Sequence, residues 1–271
     1  MAWRIGIALG LAVALLLLFL VFLWWSQERI VFQPSAAPWP EDPRARRVEY
    51  RADDGQLLFA YVIGDPGRTG RALIAFHGNA DLAIALVPWA RELSARTGWT
   101  VVLPEYRGYA GLPGPPSIDG VRRDAHAAAA LVRDSLGVPP SRTVLFGHSL
   151  GSAIATELAA GIKPYRLVLE APFTSAREMA RIVVARPVEL VWGLISRVHY
   201  DTQQLVRTLD TPVWVVHGAR DMVVPVRMGR AVFDAARVKG ELLIIDGAGH
   251  NDVVLTGGAR YWQWIARALG A

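Results

Sequence analysis

Gly147-His148-Ser149-Leu150-Gly151 places a serine between two glycines, where the apolar stretch Thr143 to Phe146 gives way to the small-residue run Ser152 to Ala160. In a Gly-x-Ser-x-Gly pattern the glycines let the chain turn sharply from strand to helix, with the serine at the apex and its hydroxyl at the carboxyl end of a sheet. Ser149 is therefore a candidate nucleophile. A serine hydroxyl is weak at neutral pH, so it needs a base within hydrogen-bond reach and an acid that orients the base. Both are available downstream. The apolar run Pro212 to Val216 leads through His217-Gly218-Ala219-Arg220 to Asp221, and Glu241 to Ile245 leads through Asp246-Gly247-Ala248-Gly249 to His250. Asp221 is the candidate acid and His250 the candidate base, each in a loop after a strand. Glu170, after the stretch Leu167 to Leu169, is a rival acid.

Acyl transfer through a serine also requires backbone N–H donors aimed at the oxyanion of the tetrahedral intermediate. One belongs to the residue after the nucleophile, Leu150. The second is expected after an earlier strand, and Arg71 to Phe76 opens into His77-Gly78-Asn79-Ala80-Asp81, which makes the N–H of Asn79 the candidate. His77, His148 and His217 read as residues that shape loops or bond locally, and Asp252 as a cap of the last helix.

These loops need elements to hold them. Arg47 to Arg51 and Leu57 to Ile63 alternate as strands around the turn signal Asp53-Asp54-Gly55. Strands and helices then alternate: a helix from Leu82 to Arg96, a strand from Thr100 to Leu103, and a helix from Gly120 to Leu136 behind Ser117 as cap. Later helices are expected from Val226 to Val238 and from Val253 to Leu269. The alternation predicts an α/β fold, a mostly parallel twisted sheet with helices on both faces and the site at the strands' carboxyl ends.

Five motifs fall in order along this frame: His77-Gly78-Asn79-Ala80, Tyr106-Arg107-Gly108-Tyr109, Gly147-His148-Ser149-Leu150-Gly151, His217-Gly218-Ala219-Arg220-Asp221 with Val224-Pro225, and Gly249-His250-Asn251-Asp252. From about Val48 to the C-terminus the chain resembles the α/β-hydrolase superfamily, and more narrowly its membrane-anchored α/β-hydrolase-domain proteins, which include lipid and thioester hydrolases. The resemblance implies a Ser149, Asp221, His250 triad. One departure is the stretch Ala110 to Pro116, where many relatives carry Gly-x-Ser-x-Gly.

Composition narrows the classes. Cysteine is absent, which excludes disulfides and thiolate chemistry. The six histidines are scattered without metal-ligand spacing, so no metal and no cofactor is expected. The net charge is +5 and the pI about 9.9, but the arginines are interspersed with acids rather than massed in a stripe, which argues against a nucleic-acid partner.

From Ile5 to Trp25 the chain has no charge and no proline and ends in Leu23-Trp24-Trp25. At 1.5 Å per residue the run reaches roughly 31 Å, the thickness of a bilayer's hydrocarbon. A signal peptide has a shorter apolar core and a nearby small-x-small site. Here Ser35-Ala36-Ala37 lies well past the run, so an uncleaved single-pass anchor is expected, in contact with the bilayer. Arg4 on one side and Arg29 and the arginines from Arg44 on the other set no orientation. Gly6 and Gly10 form a pattern too common in Ala/Leu runs to set an oligomeric state.

The expected organisation is an anchor over 1–27, a tether over 28–46 rich in proline (Pro34, Pro38, Pro40, Pro43), and a hydrolase domain over 47–271. An insertion at about 171–211 has an apolar middle, Ile182 to Ile195, that reads either as a core helix or as a small cap lining an acyl pocket. The expected activity is hydrolysis of an acyl ester, thioester or lipid-like substrate by a serine hydrolase of carboxylesterase, lipase or thioesterase type. A peptidase with the same triad, or a tethered binding protein without turnover, are the alternatives.

Overall fold

The computed structural model describes residues 2–35, 45–183 and 196–271. Strands β1 (Arg46–Arg51) and β2 (Leu57–Ile63) form the expected antiparallel hairpin. Next come β3 (Ala72–Phe76), α2 (Val87–Thr97), β4 (Thr100–Pro104), α3 (Ile118–Ala130), β5 (Thr143–His148), α4 (Leu150–Ile162) and β6 (Arg166–Glu170). They are followed by α5 (Ala176–Val183), α6 (Thr202–Val206), β7 (Val213–Gly218), α7 (Val226–Ala235), β8 (Lys239–Ile245) and α8 (Val253–Leu269). Among the described residues the strands make one sheet in the order β1-β2-β4-β3-β5-β6-β7-β8. Pairing is parallel from β4 to β8 and antiparallel only at the β1-β2 and β2-β4 contacts.

The central strands are buried on both sides, as parallel strands covered by crossover helices must be. On one face α3, α4 and α7 contribute Val121, Ile154, Leu158 and Met228 to a cluster with Ile74, Phe76 and Leu145. On the other, α2 and α8 pack Leu93, Tyr261, Trp264 and Ile265 against Leu73, Val144 and Val216.

Three helix limits differ from the sequence reading. The helix expected from Leu82 is a 3-10 turn over Ala83–Leu86 followed by α2, because Pro88 has no N–H to continue an α-helix from the preceding turn. The helix α3 starts at Ile118, capped by Ser117 Oγ accepting from the Gly120 N–H at 3.0 Å, and opens into a wider turn over Leu131–Ser135. The helix α7 stops at Ala235, where Ala236 turns extended (φ −58°, ψ 129°), and the chain leads through Val238, whose carbonyl accepts from the Val213 N–H at 3.0 Å, into β8.

Helix α1 (Ala2–Val31) is long and apolar enough to cross a bilayer, with a mean hydropathy of 3.0 in its most apolar window and none of that window buried. It runs past Trp25 into the stretch read as tether, and Phe32 beyond it is buried. Residues 36–44 of that stretch lie outside the described residues, as do 184–195, most of the apolar middle of the insertion.

The Tyr106-Arg107-Gly108-Tyr109 motif has a structural role. Buried Arg107 donates to Asp124 Oδ1 on α3 from Nε at 2.9 Å and Nη2 at 2.7 Å, and to Asp54 in the hairpin turn from Nη1 at 2.7 Å. The Arg107 N–H takes the other Asp124 oxygen at 2.9 Å. One guanidinium thus joins the loop after β4, the hairpin and a helix. Asp124→Ala leaves the buried cation with Asp54 alone and strips the Arg107 N–H of its acceptor, and should lower unfolding stability by about 3 kcal/mol, measured by denaturant unfolding of the detergent-solubilised chain.

Candidate active site

Adjacent parallel strands β3 and β5 bring the loop after Phe76 beside the turn after His148. The approach is tight enough that a Cβ on Gly151 would overlap the Phe76 carbonyl, and one on Gly147 the Gly151 carbonyl. Both elbow glycines are therefore required by contact. Between them Ser149 has φ 52° and ψ −115°, a strained backbone for an L-residue. Its N–H is held by the Glu170 carbonyl of β6 at 3.0 Å. Its hydroxyl donates no hydrogen bond among the described residues.

The loops after β7 and β8 meet beside it. His250 Nδ1 lies 2.7 Å from Asp221 Oδ2. Asp221 Oδ1 accepts from the N–H groups of Val223 and Val224, each at 2.8 Å. His217 Nε2 sits 3.2 Å from Asp221 Oδ2 and 2.9 Å from the Val224 carbonyl. Burial works against ionisation of Asp221, but the hydrogen bonds from His217, His250 and Val224 outweigh it and hold the carboxyl well below the ordinary range. Gly229 on α7 lies against His217 Nδ1, with no room for a Cβ.

The His250 loop is fastened twice more. His148 Nε2 lies 3.2 Å from the His250 carbonyl, and burial together with the neighbouring His250 pushes the His148 ring down to about 4, which keeps it a neutral donor. Asp252 stands at the start of α8 but makes no side-chain cap there; its Oδ1 accepts from the Gly249 N–H at 2.6 Å. The expected cap is instead a clamp on the loop.

On the opposite wall, buried His77 places Nε2 2.8 Å from Glu105 Oε1 and Nδ1 2.8 Å from the Gly78 carbonyl. Burial opposes the charge, but Glu105 raises the His77 pKa above its ordinary value. Its two ring nitrogens thus tie the Gly78-Asn79 turn to Glu105. Tyr106 donates to the His77 carbonyl at 3.0 Å.

Asn79, Ser149 and His250 line one cavity of about 670 Å³, together with Ala85, Leu86, Trp89, Phe146 and Val254. The lining combines polar groups, among them Gln33, Asp81 and Asn251, with these aliphatic and aromatic side chains, the mixed character usual for a small-molecule site. Leu150 is the first residue of α4, so its N–H lies in the orphan first turn beside Ser149.

Residues 72–201 match the model of the alpha/beta hydrolase family. The chain is 34% identical over 265 residues to the uncharacterized protein Rv2307c of Mycobacterium tuberculosis, covering 92% of this chain and 89% of that one. The chain belongs to the α/β-hydrolase family. It is also 27% identical over 195 residues to the human alpha/beta hydrolase domain-containing protein 17B, covering 72% and 64% of the two chains. Among solved structures, the Pyrococcus furiosus esterase Pf2001 superposes with a TM-score of 0.71 at 17% identity, over 89% of this chain and 97% of that one. The fold is the α/β-hydrolase fold, and the family membership with esterase-like architecture supports hydrolysis as the class of activity.

Within this hydrolase the two candidate acids separate. Asp221 touches His250, whereas Glu170 Oε2 accepts from Tyr261 at 3.2 Å, and Tyr261 accepts from Trp89 Nε1 at 3.0 Å. The sequence reading missed that His217 bonds Asp221, although the four-residue spacing of His217-Gly218-Ala219-Arg220-Asp221 around a turn carried the signal. It also missed the contact of Asn79 with α1, for which no local pattern exists.

Burial pushes the Glu170 carboxyl up to about 7, with the Tyr261 hydrogen bond only partly offsetting it. Between the unfolded carboxyl range near about 4.3 and about 7, the folded state holds the extra proton, so Glu170 lowers stability as pH rises through that window. Glu170→Gln, which keeps an acceptor for Tyr261, should flatten the fall of Tm with pH across the window and melt higher than wild type above it.

Proposed function

We propose that this hydrolase is a serine esterase or thioesterase that cleaves acyl or lipid-like substrates at a bilayer, to which α1 anchors it as a single-pass helix. The observation that carries the chemistry is the His250 Nδ1 to Asp221 contact of 2.7 Å in the cavity that exposes Ser149 on its strained turn. In the proposed reaction His250 Nε2 takes the Ser149 proton as Oγ attacks the acyl carbonyl. Asp221 fixes the proton on Nδ1 and stabilises the imidazolium. The N–H groups of Asn79 and Leu150 receive the oxyanion, each such donor contributing about 3 kcal/mol to transition-state binding. His250 then protonates the leaving alcohol or thiol, and a water deprotonated by His250 releases the acid and frees Ser149.

The apolar lining by Leu86, Trp89, Phe146 and Val254 supports an acyl chain as the group that fills the cavity. The bilayer is supported by the length and bare apolar surface of α1, with Trp24 and Trp25 at its far end. The proposed organisation is an anchor over 1–27, a linking stretch over 28–46 and a hydrolase domain over 47–271.

A fluorophosphonate probe should label the detergent-solubilised wild type and leave Ser149→Ala unlabelled. On activated acyl esters, Ser149→Ala should lose on the order of 10⁶-fold in kcat and Asp221→Asn on the order of 10⁴-fold. Full turnover by either variant would refute the assignment. Parallel rates on acyl thioesters and blocked peptides read the leaving-group class, with turnover of peptides above esters counting against an esterase.

A further inference from the structure

The exit of α1 is built into the hydrolase fold. Phe32 is 1% exposed and belongs to the same apolar cluster as Tyr109 and Leu150. One turn earlier, buried Gln27 accepts from the Arg197 N–H at 2.6 Å, and Glu28 accepts from the Ile118 N–H at 3.2 Å. Past the helix, the Ser35 carbonyl accepts from the Ala110 N–H at 3.0 Å, in the stretch that departs from the family pattern.

The same segment grips the side chain of Asn79. Asn79 Nδ2 donates to the Val31 carbonyl at 2.8 Å, while Oδ1 accepts the Gln33 N–H at 2.9 Å and the Tyr109 hydroxyl at 2.8 Å. An asparagine amide offers two donors and two acceptor sites, and three of these four are spent on holding one turn. The backbone N–H of this residue is the proposed oxyanion donor, and Gln33 itself lines the cavity.

We infer that the segment Val31–Ser35 is a working part of the active site: through the Asn79 side chain it positions the oxyanion turn, so that turnover depends on the seating of the apolar helix. Asn79's side chain is a positioning group, acting through its own backbone N–H. A donor must lie about 3 Å from where the oxyanion forms, not from the ground-state carbonyl. Without that grip the turn is held only on its Gly78 side, by His77, and loses that aim without losing the pocket. The effect therefore falls on kcat and not on KM. This inference rests on the reading of Ser149 as nucleophile and Asn79 as oxyanion donor.

The test uses the full chain in detergent micelles, with wild type, Asn79→Ala, Gln33→Pro and the double variant. Gln33→Pro deletes the N–H that Asn79 accepts, and Asn79→Ala deletes the amide while keeping the backbone donor. Rates on p-nitrophenyl butyrate are divided by active sites counted at the end point of fluorophosphonate labelling, which removes any misfolded fraction. Each single variant should lose on the order of 10–100-fold in kcat per active site, with KM within about threefold of wild type. Inhibition by butylboronic acid, which mimics the tetrahedral intermediate, should weaken by a similar factor. The double variant should be no worse than Asn79→Ala, because the two changes cut one connection. Unchanged kcat per active site in both single variants, or losses confined to the number of active sites, would overturn the inference and leave the serine mechanism standing. A wild type that neither labels nor hydrolyses would overturn the serine mechanism itself, and the inference with it.

Discussion

The constraint on which the site depends is the contact between two backbones: the start of α4 lies directly against the end of β3, with Gly151 at the Phe76 carbonyl. Any side chain there would push the two loops apart. Because β3 and β5 are parallel neighbours, this contact fixes the distance between the turn bearing Asn79 and the turn bearing Ser149 and Leu150. The positive φ of Ser149 follows from the same geometry, since the chain must reverse from β5 into α4 within one residue. Such a conformation costs of order 1–3 kcal/mol and persists because its surroundings over-determine it. The Ser149 N–H is held by Glu170, its carbonyl accepts from Ser152 Oγ at 2.6 Å, and Gly147 and Gly151 leave no room to relax.

Around that fixed turn the buried ionisable groups are sorted by their partners. Two carboxyls follow adjacent strands, β6 and β7, and their environments drive them apart. Glu170, desolvated with a single phenolic partner, is pushed up to about 7, while Asp221 with two N–H donors and two imidazoles is held ionised. Two histidines are sorted likewise. His148, buried next to another imidazole, is pushed down to about 4 and stays neutral, whereas Glu105 raises His77 above its ordinary value. Environments that separate like groups in this way assign acid and base roles without any change of residue type. Here they leave a single carboxylate in contact with His250.

The legible part of this molecule was the part encoded locally. Alternating apolar runs marked the strands, and glycines at strand ends marked the turns that carry Asn79, Ser149, Asp221 and His250. Those positions follow from the fold's rule that loops at the carboxyl edge meet, so order along the chain was enough to bring them together. What escaped depended on partners distant in sequence. Pro88 splits a helix that its apolar spacing would have continued, and the helix expected to reach Val238 ends at Ala235, with the Val238 carbonyl bonded across to Val213. Asn79 meets Val31 and Gln33 across nearly fifty residues, and nothing in either stretch announces the other. Arg107 stands out only as part of a motif, and its partners Asp54 and Asp124 converge on it from the hairpin and α3.

The seating of α1 separates two ways of attaching a fold to an apolar helix. A bare apolar contact between helix and body would tolerate rotation about the helix axis, because hydrophobic burial is non-directional. Gln27 and Glu28 forbid that. They follow the apolar run directly, Gln27 is fully buried, and each meets a backbone N–H of the body, from Arg197 and Ile118. Turning the helix would strand those groups, and a buried donor or acceptor left without its partner costs about 1–3 kcal/mol. Arg197 adds a second constraint, its guanidinium 4.2 Å from the Trp24 ring centroid. Polar burial at one turn thus converts a greasy helix into a keyed joint with one rotational setting. Since Gln33, five residues past Glu28, lines the cavity, the direction in which the cavity opens is fixed relative to the helix axis, and a helix set across a bilayer would fix it relative to the membrane as well.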